Sequence, residues 1–157
     1  MKAPKLSLQL PEVIYPEEKV ALKLTSQNLD NATLQIYRID LTTEAYEQLK
    51  NQDKNNVQRK VYEKRFTLTP SLIEQDTTIH LPEAGLYQIS LNTTETKHSV
   101  SQTVIATHLF SNSQNSKNQQ IYSVYDSKSG KPIPKAKILL YKPNYPGYTL
   151  LDTVFTN

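Results

Sequence analysis

Between Leu6 and Phe110 the apolar residues recur at every second position in short runs, and turn-forming residues separate the runs. A period of two belongs to extended chain with one buried face. Leu6, Leu8 and Leu10 alternate up to Pro11, and Val20, Leu22 and Leu24 alternate after the Tyr15, Pro16, Glu17 and Glu18 turn. In Thr33 to Ile39, Leu34 and Ile36 fall on one side and Tyr37 and Ile39 on the other, as in a strand covered on both faces or flanked by an insertion. Lys60 to Leu68, Thr77 to Leu81, Leu86 to Asn92 and Val100 to Phe110 continue the series, with Thr69 to Gln75 as a polar connection. Seven strands in about 110 residues predict an all-β, immunoglobulin-like or fibronectin-III-like antiparallel sandwich. Inward parity assigns its core to Val20, Leu22, Leu24, Leu34, Ile36, Phe66, Leu68, Ile79, Leu81, Tyr87, Ile89, Leu91, Val104 and Ala106.

One stretch favours helix. Thr43 to Gln52 offers Thr42 or Thr43 as N-cap, Glu44 and Glu47 near the positive end and Lys50 near the negative end, while Tyr46 and Leu49 share a face. A helix this short needs to dock on the sandwich to persist. Ser111 to Asn118 is poor in apolar residues and reads as a linker. The expected organisation is a sandwich over 1–112 with one short helix insertion, a linker over 113–118, and an incomplete second β domain over 119–157.

Within that second part, Tyr122 to Tyr141 reads as a β-hairpin. Gly130 is free to take positive φ and Asp126 to bond nearby amides in the turn, and Pro132 and Pro134 precede the alternation of Ala136, Ile138 and Leu140. From Tyr122 to Asn157 there are 36 residues, too few to complete a seven-strand sandwich, so the chain is expected to be a fragment of a longer protein. Strands are expected at Gln119 to Tyr125, Lys135 to Tyr141 and Tyr148 to Phe155, forming a three-stranded sheet. No second sheet is available to cover Val124, Ile138, Leu140, Leu150 and Val154. Such a sheet would lie against the first domain or self-associate through residues 119–157.

Composition removes several chemistries. With no Cys there is no disulfide, thiolate metal site or cysteine nucleophile, and three Gly leave little room for a phosphate-binding loop. His80, His98 and His108 are widely separated, so no metal site is expected and structural roles are assigned to them. Glu17 and Glu18 read as a solvated turn, and no Ser/His/Asp arrangement stands out. No catalytic, cofactor-binding or metal-binding residue is therefore assigned. A net charge of +3 with scattered basic residues does not point to nucleic acid. No continuous apolar stretch reads as a signal peptide or a membrane span. Recognition, if any, falls to Tyr141, Tyr145 and Tyr148 around a Pro143 to Gly147 loop, where tyrosine combines a large apolar ring with a wettable hydroxyl. The tripeptides Asn31 to Thr33 and Asn92 to Thr94 fit a glycosylation pattern too short to carry a function.

Three elements in order resemble a known family. Pro82-x-x-Gly85-x-Tyr87-x-Ile89, the strand Val104 to Phe110, and the Asp126-x-x-x-Gly130-Lys131-Pro132 turn leading into Ala136-x-Ile138-x-Leu140-Tyr141 resemble the macroglobulin-type domains of bacterial alpha-2-macroglobulin-like proteins. The resemblance implies a non-catalytic structural module of a large protease-trapping protein. In that family sandwich domains form a scaffold, a bait segment is cleaved, and the ensuing rearrangement traps the protease; the thioester element found in some members has no counterpart here, since there is no Cys. It also implies export to the periplasm, outer membrane or extracellular space, with a leader removed. Its partners would be the neighbouring domains of the parent chain, with proteases engaged only through the full-length protein. Gly-Lys-Pro turns with similar flanks also occur in surface receptors and in transthyretin-like accessory domains of enzymes. An adhesin or glycan-binding segment, or such an accessory domain, thus stays as the alternative.

Overall fold

The computed structural model describes residues 3–39, 58–94, 98–144 and 147–157. The expected helix from Thr43 to Gln52 lies outside them, and the described residues contain strands and no helix. The chain divides into two units, Met1–Ala106 and Thr107–Asn157.

In the first unit the alternating runs become β1 (Lys5–Gln9), β2 (Val13–Ile14), β3 (Lys19–Gln27), β4 (Asn31–Ile39), β5 (Gln58–Thr67), β6 (Ile73–His80), β7 (Gly85–Asn92) and β8 (Ser99–Ala106). They form two sheets, β1-β3-β6 and β2-β8-β7-β4-β5. The pairing is antiparallel except where β2 runs parallel to β8, Val13 beside Ile105 and Ile14 beside Ala106. That short strand was not expected. It arises because the chain leaves the first sheet at Pro11, whose ring cannot donate to a ladder, and joins the second two residues later.

The inner faces of the two sheets meet in one apolar cluster. Leu22 and Leu24 from β3, Leu34 and Ile36 from β4, Ile89 and Leu91 from β7, and Val104 from β8 are all at most 1% exposed. Burying each such side chain stabilises the fold by about 1.5–3 kcal/mol. The expected core is recovered, with Phe66 half-buried rather than buried, because β5 is an edge strand and its face is only partly covered. On β4, Ile39 is buried outside that cluster, as its opposite parity anticipated. The expected polar connection from Thr69 to Gln75 is shorter than anticipated, because β6 already begins at Ile73, opposite Ser26.

The corner between β6 and β7 is fixed by a buried tyrosine. Tyr87, 3% exposed, lies in the core near the start of β7, and its hydroxyl donates to the Glu83 carbonyl four residues upstream at 2.9 Å. This is the tyrosine corner of immunoglobulin-like sandwiches, which ties the turn to the second of the two strands it joins. Arg38 from β4 closes the same corner, pairing with the Glu83 carboxylate and donating to the Ala84 carbonyl at 3.1 Å.

The second unit contains β9 (Leu109–Ser116), β10 (Gln119–Asp126), β11 (Lys137–Asn144) and β12 (Gly147–Phe155). Three expectations fail here. Residues 113–118 are not a linker: they end β9, form its turn at Lys117 and Asn118, and so belong to an unbroken ladder from Ser116 opposite Gln119 to Leu109 opposite Asp126. A two-residue connection closes that ladder locally, and backbone pairing needs no apolar side chains. The three expected strands are likewise not one sheet, nor do Tyr122 to Tyr141 form a hairpin ladder. β10 pairs with β9, β11 pairs with β12, and β10 meets the following segment only at a bridge between Tyr125 and Pro132. Pro132 and Pro134 lack amides, and Lys135 takes a φ of 58°, so the ladder cannot extend beyond that bridge.

Candidate functional site

The Asp126 to Lys131 turn is built as its residue types require. Gly130 has a φ of 68°, a left-handed conformation that costs glycine nothing. One Asp126 carboxylate oxygen accepts from the Ser129 amide at 2.7 Å and the Lys128 amide at 3.2 Å, and the Gly130 amide donates to the Asp126 carbonyl at 2.9 Å. The Ser129 amide foremost, then its hydroxyl, holds the Asp126 carboxyl below its ordinary value of 3.8. A depressed carboxyl stabilises the turn fully above the ordinary aspartate pKa, and that contribution is lost as pH falls through the lowered folded value. A carboxyl-detected NMR titration should therefore place the Asp126 midpoint below 3.8, whereas a midpoint at or above 3.8 would mean that the amides do not bind the carboxylate.

Of the tyrosines expected to serve recognition, Tyr141 lies on β11. Tyr141 follows a register shift after Leu140 and stands opposite Leu150, 37% exposed. The backbone of Tyr148 stands opposite Pro143, so register brings Tyr141 and Tyr148 to diagonal positions, while Tyr145 lies outside the described residues.

Each of the three histidines makes its own local hydrogen bonds. Nε2 of His80 donates to the Glu17 carbonyl at 3.2 Å, which ties β6 to the turn before β3. The His98 carbonyl accepts from the Thr93 amide at 3.0 Å, and the His108 carbonyl accepts from the Ser127 amide at 2.8 Å. Among the described residues no three His, Cys, Asp or Glu side chains converge as metal ligands would. Glu17, at φ 71°, and Glu18 are exposed at their turn, and Glu44 and Glu47 lie outside the described residues.

Two open grooves lie among the described residues. One in the first unit, of about 360 Å³, runs between β1 and the start of β8 and is lined by Leu6, Thr25, His98 and Val100 among others. One in the second unit, of about 350 Å³, separates the two hairpins, with Gln120 and Tyr122 on one wall and Ile138, Leu140 and Val154 on the other. Neither gathers an acid and a base, or a nucleophile and its activator, within hydrogen-bonding reach.

The sequence matches no family model and no curated protein. Solved structures do match. A crystal structure of native alpha-2-macroglobulin from Escherichia coli spanning domains MG0-NIE-MG1 aligns with 97% of this chain at a TM-score of 0.60 and 14% identity. The chain shares its fold with that macroglobulin segment. It spans 58% of that structure's length. A second E. coli alpha-2-macroglobulin structure, spanning NIE-MG1, aligns with 86% of this chain and 73% of its own length, at a TM-score of 0.53 and 15% identity. The expected macroglobulin-type sandwich is thus the observed fold, and the alignment to the alpha-2-macroglobulin segment runs through residues of both units.

Proposed function

We propose that this chain is a non-catalytic structural module of an alpha-2-macroglobulin-like protein, and that its task is to pack against the neighbouring domains of a protease-trapping scaffold. The observation that supports this reading is the structural alignment of 97% of the chain with the E. coli segment at a TM-score of 0.60. The three motifs noted in the sequence support it from a different direction. The first falls in β7 at the tyrosine corner and the third in the tight turn and strand after β10, while the expected single strand from Val100 to Phe110 is broken at Thr107 and His108 into the end of β8 and the start of β9.

The physical role follows from the build of the first unit. A sandwich with a closely packed apolar core and a tied corner resists deformation, which suits an element that transmits or withstands a rearrangement occurring elsewhere in its parent. Proteases would be engaged only by the whole protein, exported to the periplasm, the outer membrane or beyond. The test uses the intact protein that carries this chain, incubated with an endopeptidase. Cleavage should increase its native electrophoretic mobility and spare large protein substrates while small peptide substrates are still hydrolysed. Cleavage with unchanged mobility and undiminished digestion of a large substrate would reject the trapping role.

A further inference from the structure

The chain passes from the first unit to the second between Ala106 and Thr107. Ala106 is held in its own sheet, paired with Gly85 of β7 and Ile14 of β2. By His108 the next ladder has already taken hold. The last pair of β9 and β10 sets Leu109 opposite Asp126, and the Ser127 amide extends that ladder by donating to the His108 carbonyl at 2.8 Å. Phe110 and Tyr125 support the same end, with ring centroids 6.5 Å apart. Thr107 is thus a single residue between two held neighbours. Even it is restrained, because its Oγ1 accepts from the Leu109 amide at 2.9 Å and its β-branched side chain has few rotamers to choose from.

What places Ser127 is the turn it begins, and that turn hangs on Asp126. The Asp126 amide donates to the Lys131 carbonyl at 2.8 Å, its carbonyl accepts from the Gly130 amide at 2.9 Å, and its carboxylate accepts from the Ser129 and Lys128 amides. The Ile133 amide adds a bond to the Val124 carbonyl at 2.9 Å, tying the far side of the turn to β10. Ser127 therefore sits between a closed turn and a ladder. A flexible polar linker, of the kind expected over 113–118, would leave the chain free over several residues where the units join. The observed junction has no such length.

We propose that the Asp126 turn is a clasp on this junction: by fixing Ser127 against His108 it makes residues 107–109 part of the second unit and confines the freedom of the joining chain to the torsions around Thr107. The inference rests on hydrogen bonds within the second unit and does not depend on the scaffold function proposed above. Backbone amide relaxation measured by NMR on the full chain tests it, because it reads picosecond to nanosecond motion residue by residue. In the wild type Thr107, His108 and Ser127 should show order parameters of about 0.85, as rigid backbone does. Asp126→Ala, which removes the carboxylate acceptor, should drop those three below about 0.6 while amides of β3, β7 and β12 keep their wild-type values. Asp126→Asn retains a side-chain oxygen that can accept from the same amides and should stay near the wild type. Order parameters already below about 0.6 at Thr107 and His108 in the wild type would overturn the proposal. So would Asp126→Ala values equal to the wild type, or Asp126→Asn values as low as those of Asp126→Ala.

Discussion

Ile89→Ala should cost the first unit about 2–5 kcal/mol, the lost transfer free energy of the side chain plus the cavity it leaves. Ile89 is 0% exposed, and its strand, β7, is hydrogen-bonded on both sides, to β4 and β8, so the backbone around the void cannot collapse into it. In a unit of this size the loss corresponds to a fall in Tm of roughly 10 °C or more. Denaturant unfolding followed by far-ultraviolet circular dichroism would measure it. A cost below about 1 kcal/mol would place Ile89 outside a packed interior. Val61→Ala on the exposed edge strand β5, 43% exposed at the start, is the contrasting case and should change stability within about 0.5 kcal/mol.

Tyr87→Phe keeps the ring in the core and removes only the hydroxyl that donates to the Glu83 carbonyl. The expected cost is about 1–3 kcal/mol, the value of a hydrogen bond whose acceptor is left to find another partner. Because that bond holds the corner rather than the core, the variant should also raise hydrogen-exchange rates selectively in residues 83–86. Unchanged stability together with unchanged exchange there would mean that Arg38, through Glu83 and Ala84, holds the corner without the tyrosine.

The first unit was legible where apolar residues do the specifying. Val20, Leu22 and Leu24 alternate so regularly that a slip by one residue would expose all three, and the observed register keeps them inward. The features that escaped are held by backbone bonds. Val13 and Ile14 are too short a run to show a period, yet the Ile105 amide donates to the Glu12 carbonyl at 2.8 Å and fixes them beside β8. Ser111 to Ser116 carry no apolar signal, so hydropathy reads a linker where the chain forms a strand. The Asp126 turn was correctly anticipated down to its glycine and its carboxylate bonds, but the ladder expected beyond it was not, because the two prolines weigh against pairing more heavily than the following alternation favours it. The position of Tyr141 was not legible: the register shift after Leu140 sets where it falls, and nothing in the residue types announces it.

The two units differ most in what covers them. Among the described residues, Val124 alone of the buried hydrophobics lies beyond Ala106, while Leu109, Phe110, Ile121, Leu139, Leu150, Leu151 and Phe155 are exposed. The proposed scaffold role predicts a sandwich stable by itself, followed by strands that a neighbouring domain would cover. Hydrogen exchange on the chain at high dilution tests it most directly. Amides in β3, β4, β7 and β8 should exchange only through global unfolding, and those of β9 to β12 should exchange by local opening at far lower free energy. Equal protection of both units at high dilution would contradict the account.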